Sequence, residues 1–346
     1  MEYEIQHRNK KRVLINSALS TIIIAILLSA SCSPRKHSQN ALDEDVYINT
    51  EDSRLFANIR SKDSESPVLL YLHGGPGSPL GVPLFKAYAG HQLENYFIVV
   101  YLHQRGIMKS ERVPDSTHNI SSYISDIHHV VTYLKTRFPG HNIFLLGHSW
   151  GGLLSYRYLL DHKNEADKLV AVCTPLNSRA MMTGRVEMLL RWAYRNKNQE
   201  AIEDLEKLQN KSLFELKDDS NLLKKWMAQA NGGWHRNLDL SRVNEAIDYE
   251  DKIHDWLKEQ ERIETLLNDE ILNINLEDSI QYLNTPLLCI AGKEDTDVPW
   301  YIVKEEFENY GGKKTFKLFK KSHHMVFIDE EKLFVKTITR FLRTPD

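Results

Sequence analysis

The chain has 346 residues, of which 42% are hydrophobic and 26% charged, and its formal net charge is −3. This length suits one large domain with an insertion. The scattered lysines and arginines form no basic patch, so we expect no nucleic-acid partner, and three cysteines are too few for a disulfide framework.

The N-terminal segment has the layout of an export signal. A basic cluster at residues 8–12 precedes an uncharged stretch at 13–34 with an apolar centre, and residues 1–32 are therefore predicted to be such a signal. Small residues directly before Cys32 resemble a bacterial lipoprotein cleavage site. We expect lipidation of Cys32 and an outward-facing chain held at the membrane of the cell envelope. The stretch is also long enough for an uncleaved anchor. Mass spectrometry of the mature chain distinguishes the two, because only a processed lipoprotein begins at a modified Cys32.

A predicted core follows a polar tether at residues 33–44. Nearly continuous apolar runs are typical of strands that are buried on both faces of a parallel sheet. Short strand candidates at Val46–Ile48 and Arg54–Arg60 precede four such runs, at Pro67–His73, Phe97–Leu102, Ile143–Leu146 and Leu169–Val172. A helical pattern at Ile120–Phe138 lies between two of them. Alternating strands and helices predict a parallel sheet in residues 45–177.

The alternation of strands and helices stops after Pro175. Residues 178–284 are charged and have helical patterns, so we predict an inserted helical cap. The second part of the core, residues 285–346, is predicted to contain a strand at Pro286–Ala291, a helix at Trp300–Tyr310, a strand at Lys314–Phe319 and a closing helix at Phe327–Leu342.

A candidate nucleophile stands at the end of a predicted strand. Residues 147–151 fit the pattern G-x-S-x-G between the strand at Ile143–Leu146 and a helical pattern, which is the context this motif requires. The sharp turn would expose the hydroxyl of Ser149 at the start of a helix. We therefore predict that Ser149 is the nucleophile of a hydrolase.

Acyl transfer by a serine also needs donors for the oxyanion. The N–H group of Trp150, directly after the nucleophile, is predicted to be one donor. The turn His73-Gly74-Gly75-Pro76-Gly77 follows an earlier strand and should supply the other. We predict Gly75, with Gly74 as the alternative, because Pro76 has no N–H group.

A serine nucleophile needs a histidine base, and the histidine needs a carboxylate. After a serine on such a turn, the acid and then the histidine follow along the chain. Asp295 comes just after the strand predicted at Pro286–Ala291 and is the predicted acid, with Glu294 and Asp297 as alternatives.

The adjacent residues His323 and His324 follow the next predicted strand. We predict that His324 is the base, with His323 as the alternative. The base must be neutral before acylation, so we expect activity to fall on acidification through about pH 6–7.

These motifs resemble those of the α/β-hydrolase fold family, from Val46 to the end of the chain, and within it the proline iminopeptidase group. The resemblance is carried by H-G-G-P-G at 73–77, Q-R-G at 104–106, G-x-S-W-G at 147–151 and G-x-x-D-x-x-x-P at 292–299. It implies an α/β fold with a mostly parallel central sheet flanked by helices and an inserted cap. It also implies an enzyme that removes N-terminal residues, typically proline, from peptides.

The sequence departs from the group at several positions. His103, Met108 and His323 stand where the group has Asp, Gly and Gly. Its aminopeptidases bind the substrate ammonium with cap carboxylates, and their W-x-x-W-E signature is absent here, since Trp226 and Trp234 are spaced differently and His235 follows. Glu187, Glu245 and Glu264 are the candidates in this chain.

Three functions are therefore considered. The first is an aminopeptidase that acts on small peptides. The missing cap signature favours a carboxylesterase or related acyl hydrolase of small esters as the second. The departures from the motifs favour a catalytically silent envelope-binding protein as the third. The sequence has no metal-ligand spacing and no phosphate-binding loop, so we expect neither a metal nor another cofactor.

Overall fold

The computed structural model describes residues 40–209, 211–212, 219–230, 238–239, 241–242 and 253–345. The predicted export signal with Cys32 lies outside these residues, as do Trp234, His235 and Glu245. Among the helices of the described ranges, none combines the length and the apolar character that crossing a bilayer requires.

In the described part of the chain, eight strands form one sheet in the order β1-β2-β4-β3-β5-β6-β7-β8. The strands are β1 Leu42–Asn49, β2 Arg54–Ser61, β3 Val68–Leu72, β4 Ile98–Leu102, β5 Ile143–His148, β6 Lys168–Val172, β7 Leu287–Gly292 and β8 Lys314–Phe319. The pairings β1–β2 and β2–β4 are antiparallel, and the others are parallel. The expected mostly parallel sheet is confirmed.

Helices connect these strands. They are α1 Gly81–Phe85, α2 His91–Leu93, α3 Ile120–Arg137, α4 Trp150–Asp161, α5 Ser178–Arg195, α6 Gln199–Glu206, α7 Ser220–Gln229, α8 Ile253–Leu272, α9 Trp300–Glu308, α10 Val326–Asp329 and α11 Glu331–Arg343. A π-helical turn at Lys86–Gly90 joins α1 to α2. Short 3₁₀ turns lie at Asp115–Thr117 and Ile280–Tyr282. Helices α5 to α8 lie between β6 and β7, in the segment predicted as a cap.

The central strands are apolar on both faces because helices cover both sides of the sheet. Every residue of β3 is buried. Val68, Leu70 and Leu72 pack in one cluster with side chains of α3, α4 and α9. Leu69 and Tyr71 pack in a second cluster with side chains of α1 and α11. The apolar runs in the sequence therefore mark the middle layer of a three-layer structure.

The predicted tether ends earlier than expected. Strand β1 begins at Leu42, so residues 42, 43 and 44 of the predicted tether belong to the sheet. The sequence predicted this strand only at Val46–Ile48, because charged, exposed side chains alternate along it. It is held by backbone pairing with β2 and by an ion pair of 2.6 Å between Arg60 and Asp43, which face each other across the two strands.

Candidate active site

The predicted catalytic residues all follow strands at one edge of the sheet. Ser149 comes directly after β5, and the glycine-rich turn that begins at His73 comes directly after β3. Asp295 lies in the turn after β7, and His324 lies in the turn after β8. Because these strands are parallel, their carboxyl ends meet at the same edge, which is where open α/β sheets bind ligands.

Ser149 occupies a strained turn. Its φ of 53° and ψ of −118° lie in a region that residues with a side chain rarely adopt. A hydrogen bond of 2.8 Å from its N–H group to the carbonyl of Val172 holds this turn. Gly151, in the first turn of α4, lies so close to β3 that a Cβ atom there would be 2.0 Å from the carbonyl oxygen of Leu72. The turn at Ser149 thus packs directly against the end of β3.

The imidazole of His324 is bonded to the carboxylate of Asp295. Nδ1 of His324 lies 2.8 Å from Oδ2 of Asp295, and both side chains are buried. The other carboxylate oxygen, Oδ1, accepts hydrogen bonds of 2.9 Å from the N–H groups of Asp297 and Val298. The carboxylate is therefore fixed in orientation, and Nε2 is the ring nitrogen of His324 that remains for a reaction.

His324 lies against the residue that precedes Ser149. Nε2 of His148 is 3.1 Å from the carbonyl oxygen of His324, and the two ring centroids are 4.7 Å apart. Within the described residues, no hydrogen bond joins the Ser149 hydroxyl to His323 or to His324. His323, the alternative base, is bonded to Asp329, with Nδ1 3.2 Å from Oδ2. The structure thus pairs Asp295 with His324 and places His323 with a different carboxylate.

The buried histidines near Ser149 differ in their electrostatic surroundings. Burial lowers the pKa of His73 to about 4 and that of His148 to about 3. Burial also acts to lower the pKa of His324, but the carboxylate of Asp295, its hydrogen bond and the carboxylate of Asp297 outweigh it and raise this pKa to about 9. The protonated state that a general base reaches during catalysis is therefore stabilised at His324.

A second carboxylate faces the other nitrogen of His324. Oδ2 of Asp297 lies 3.7 Å from Nε2 of His324, and the side chain of Asp297 is 29% exposed. Arg185 of α5 donates to Oδ1 of Asp297, and also to its backbone carbonyl at 3.2 Å. Glu294, the other alternative acid, is partly exposed and lies 3.7 Å from Arg195. Asp297 is therefore close to the reactive nitrogen without being the partner of Nδ1.

The predicted oxyanion donors lie next to Ser149. Trp150 is the first residue of α4, where a helix leaves its N–H groups without a partner inside the helix. A Cβ atom on Gly74 would be 3.4 Å from Cβ of Ser149 and 2.9 Å from Nδ1 of His148, so the glycine-rich turn passes beside the serine. Gly75 has a φ of +136°, which residues with a side chain rarely adopt. The choice between Gly74 and Gly75 stays a prediction.

Gln104 connects the two loops that carry these donors, a role that sequence reasoning missed. Its amide nitrogen donates to the carbonyl of His73 at 2.8 Å, and its amide oxygen accepts from the indole of Trp150 at 3.1 Å. Gln104 is buried. The only signal in the sequence was its position in the Q-R-G segment.

The rest of that segment is structural. Arg105 is buried and donates to both carboxylate oxygens of Asp126, at 2.7 and 2.8 Å. Met108 has a φ of 56°, so the chain keeps a left-handed conformation at the position where the proline iminopeptidase group has glycine. This conformation costs a residue with a side chain about 1–2 kcal/mol. Nδ1 of His103 accepts from the N–H group of Lys109 at 3.2 Å. The departures at Met108 and His103 therefore leave an ordered loop.

The candidate carboxylates of the predicted cap differ in position. Glu187 accepts from the hydroxyl of Tyr301 at 3.0 Å, and its side chain is 41% exposed. Glu264 of α8 accepts from Gln260 at 2.7 Å. Burial raises the pKa of Glu264, and the negative charge of Asp297 acts in the same direction. The neighbouring Ile263 packs against Gly77 of the glycine-rich turn. Glu264 is thus the candidate that the structure brings towards Asp297, and Glu245 lies outside the described residues.

Potential metal ligands come together at the same place. Among the described residues, one group of three has ligand atoms within 4.8 Å of one another, and it consists of Cys173, Asp295 and His324. Cys173 and Cys289 are buried free thiols, in agreement with their apolar surroundings in the sequence. Because this group contains both members of the Asp295–His324 pair, it does not form a separate centre.

Comparison with known proteins agrees with this fold. The sequence profile described as alpha/beta hydrolase fold matches residues 67–331. YbaC of Bacillus subtilis (strain 168), named a probable aminopeptidase, is 26% identical over 321 residues, which are 90% of this chain and 98% of YbaC. A proline iminopeptidase of Lactiplantibacillus plantarum is 24% identical over 302 residues, covering 83% of this chain and 96% of its own.

Solved structures show the same fold at lower identity. Proline iminopeptidase of Mycobacterium smegmatis has a TM-score of 0.63 at 16% identity, covering 86% of this chain and 97% of its own. The esterase EaEST of Exiguobacterium antarcticum has a TM-score of 0.61 at 19% identity, covering 87% of this chain and all of its own. At such identities the likeness establishes the fold alone. Together with the profile match and the sheet, these comparisons show that the chain is a hydrolase that belongs to the alpha/beta hydrolase fold family.

Proposed function

We propose that this hydrolase is a serine aminopeptidase that removes N-terminal residues from small peptides through an acyl-enzyme on Ser149. The observation that carries the proposal is the buried bond of 2.8 Å between His324 and Asp295, beside the strained turn at Ser149. The names of the relatives support a peptide substrate. The export signal expected at residues 1–32 adds the proposal that the enzyme acts at the cell envelope.

In this mechanism the hydroxyl of Ser149 attacks the carbonyl carbon of the first peptide bond, and its proton passes to Nε2 of His324. The bond between hydroxyl and imidazole forms when substrate is bound, since such contacts commonly tighten only in the complex. The N–H groups of Trp150 and Gly75 stabilise the oxyanion. The C–N bond then breaks, and His324 returns the proton to the leaving amine. A water molecule, deprotonated by His324, hydrolyses the acyl-enzyme.

A panel of aminoacyl arylamides tests this function. We expect the wild type to hydrolyse alanyl, leucyl or prolyl arylamides and to cleave an N-blocked arylamide much more slowly, because an aminopeptidase recognises a free ammonium. Ser149→Ala should lose both this activity and labelling by a fluorophosphonate probe. Ser155→Ala is the matched control, since Ser155 lies on α4, which begins directly after Ser149, and its hydroxyl donates to the carbonyl of Gly151.

Two outcomes of the panel would contradict the proposal. Rapid turnover of p-nitrophenyl acetate without any arylamide turnover would identify an esterase. A protein that hydrolyses neither substrate and is not labelled by the fluorophosphonate probe would instead be the catalytically silent protein considered from the sequence.

The dependence of activity on pH should report His324. Its imidazole must be neutral to accept a proton, and its pKa is raised to about 9, so kcat/KM should rise with pH and be half-maximal near pH 9. This value is higher than the range of about pH 6–7 expected for an unperturbed imidazole. The measurement should use p-nitrophenyl acetate, which has no amino group to titrate. A plateau that is already reached at neutral pH would show that the two carboxylates do not control this base.

A further inference from the structure

The position of Asp297 indicates a role in recognising the substrate. We propose that Asp297 binds the free ammonium group of the substrate's N-terminal residue, directly beside the bond that is cut. This inference rests on the proposed aminopeptidase function, and it assigns the recognition of the amine to the loop of the catalytic acid.

Covalent geometry limits where such a carboxylate can lie. In an N-terminal residue only the Cα atom separates the ammonium nitrogen from the carbonyl carbon, so the two are about 2.5 Å apart. A charged hydrogen bond adds about 2.8 Å, and the carboxylate must therefore lie within roughly 5–6 Å of the attacked carbon. Oδ2 of Asp297 is 3.7 Å from Nε2 of His324, the nitrogen that receives the proton of Ser149 in the proposed mechanism. Asp297 thus lies beside the reacting groups of the proposed mechanism, where a carboxylate that holds the amine of an N-terminal residue has to be.

The carboxylate of Asp297 is also available to a ligand. Its side chain is 29% exposed, whereas that of Asp295 is fully buried. Arg185 donates to Oδ1, which leaves Oδ2 on the side of His324. A carboxylate has about four acceptor positions, so an ammonium can bind while Arg185 stays in place. Burial acts to raise the pKa of Asp297, but the charges of Arg185 and His324 lower it below its ordinary value, and the group is therefore ionised at neutral pH.

One short turn joins this recognition group to the catalytic acid. The N–H group of Asp297 donates to Oδ1 of Asp295 at 2.9 Å, while its carboxylate faces the opposite nitrogen of the same imidazole. Asp295 and Asp297 therefore lie on the two sides of His324 at a fixed spacing. A substrate ammonium bound to Asp297 would be positioned relative to the base by the same turn that orients the base.

The experiment compares two substrates that differ only in the amino group, alanine p-nitroanilide and propionyl p-nitroanilide. Taking the ratio of their kcat/KM values within each variant cancels any effect of the variant on His324 itself. We expect the wild type to prefer the alanyl substrate and Asp297→Asn to lower this preference by about 10- to 100-fold, the range for a lost hydrogen bond to a charged group. Asp297→Glu keeps the charge and should retain most of the preference.

Asp161→Asn is the matched control. It removes the carboxylate of another Arg–Asp pair, in which Nε of Arg157 lies 3.1 Å from Oδ2 of Asp161 at the far end of α4. Its preference for the alanyl substrate should equal that of the wild type. Glu264→Gln tests the competing carboxylate on α8 in the same assay. Fluorophosphonate labelling of Ser149 confirms that each variant is folded, and Asp297→Ser replaces Asp297→Asn if the latter is not labelled.

The possible results separate this inference from the function on which it rests. An unchanged preference in Asp297→Asn, or a preference lost only in Glu264→Gln, would overturn the role of Asp297 and leave the aminopeptidase in place. A wild type that is labelled and cleaves esters, but neither anilide, would overturn both. A preference that collapses in Asp297→Asn and survives in Asp297→Glu and Asp161→Asn would establish the role.

Discussion

Under the proposed mechanism, replacement of Asp295 by asparagine is expected to lower kcat by about 10⁴-fold, as the equivalent change does in a Ser-His-Asp protease. The structure gives the reason. The N–H groups of Asp297 and Val298 both donate to Oδ1 of residue 295, so an asparagine must place its oxygen there. Its NH₂ group then faces Nδ1 of His324. That nitrogen becomes an acceptor, the proton moves to Nε2, and the imidazole can no longer take the proton of Ser149.

The matched control is Asp329→Asn, which makes the same chemical change beside the neighbouring histidine. Asp329 is bonded to Nδ1 of His323 at 3.2 Å, and its loss should change kcat by less than about tenfold if His323 has no part in the reaction. Both variants are measured with an arylamide and with p-nitrophenyl acetate. A severe loss in Asp329→Asn together with a mild loss in Asp295→Asn would mean that His323, and not His324, is the base.

Replacement of Gly151 by alanine is expected to lower the free energy of unfolding by more than about 3 kcal/mol, beyond the usual range for overpacking. An added Cβ atom would lie 2.0 Å from the carbonyl oxygen of Leu72 and 2.7 Å from that of His73. Both neighbours are backbone atoms at the end of β3, and they cannot move without displacing the glycine-rich turn. Urea denaturation measures the loss, and labelling of Ser149 by a fluorophosphonate should fall with it.

Gly184→Ala in α5 serves as the comparison. A Cβ atom there would lie 2.9 Å from Cγ1 of Ile302 and 3.2 Å from the hydroxyl of Tyr301, which are side-chain atoms and not backbone, and alanine also favours the helix by up to about 1 kcal/mol. We expect its stability to stay within about 1 kcal/mol of the wild type. Equal stabilities of the two variants would show that α4 and β3 are free to move apart.

Most of the fold could be predicted because apolar runs mark strands covered on both faces. The five apolar runs and the strand at Lys314–Phe319 predicted in the core correspond to β3 to β8, with ends that differ by at most two residues. Elements with weaker patterns were predicted too short or were missed. The strand at Leu42–Asn49, predicted only at Val46–Ile48, alternates charged and apolar residues at the sheet edge, and the missed turns at Gly81–Leu93 are short segments without a clear helical period.

The candidate site was predictable only where strand ends and motifs coincide. Ser149, Asp295 and His324 each follow a strand, and their order along the chain is that of a known motif. The contact between Arg185 and Asp297 joins residues that are 112 positions apart, and one of them lies on a helix between β6 and β7. No local pattern indicates such a partner, since it depends on how that helix packs against the edge of the sheet.

Gln104 has a consequence for the accuracy of the reaction. It bonds to His73, 31 residues earlier in the chain, and to Trp150, 46 residues later. Gln104 therefore links the two segments whose backbone N–H groups would bind the oxyanion. We therefore expect the two segments to move together, so that the distance between the two amides changes little from one turnover to the next.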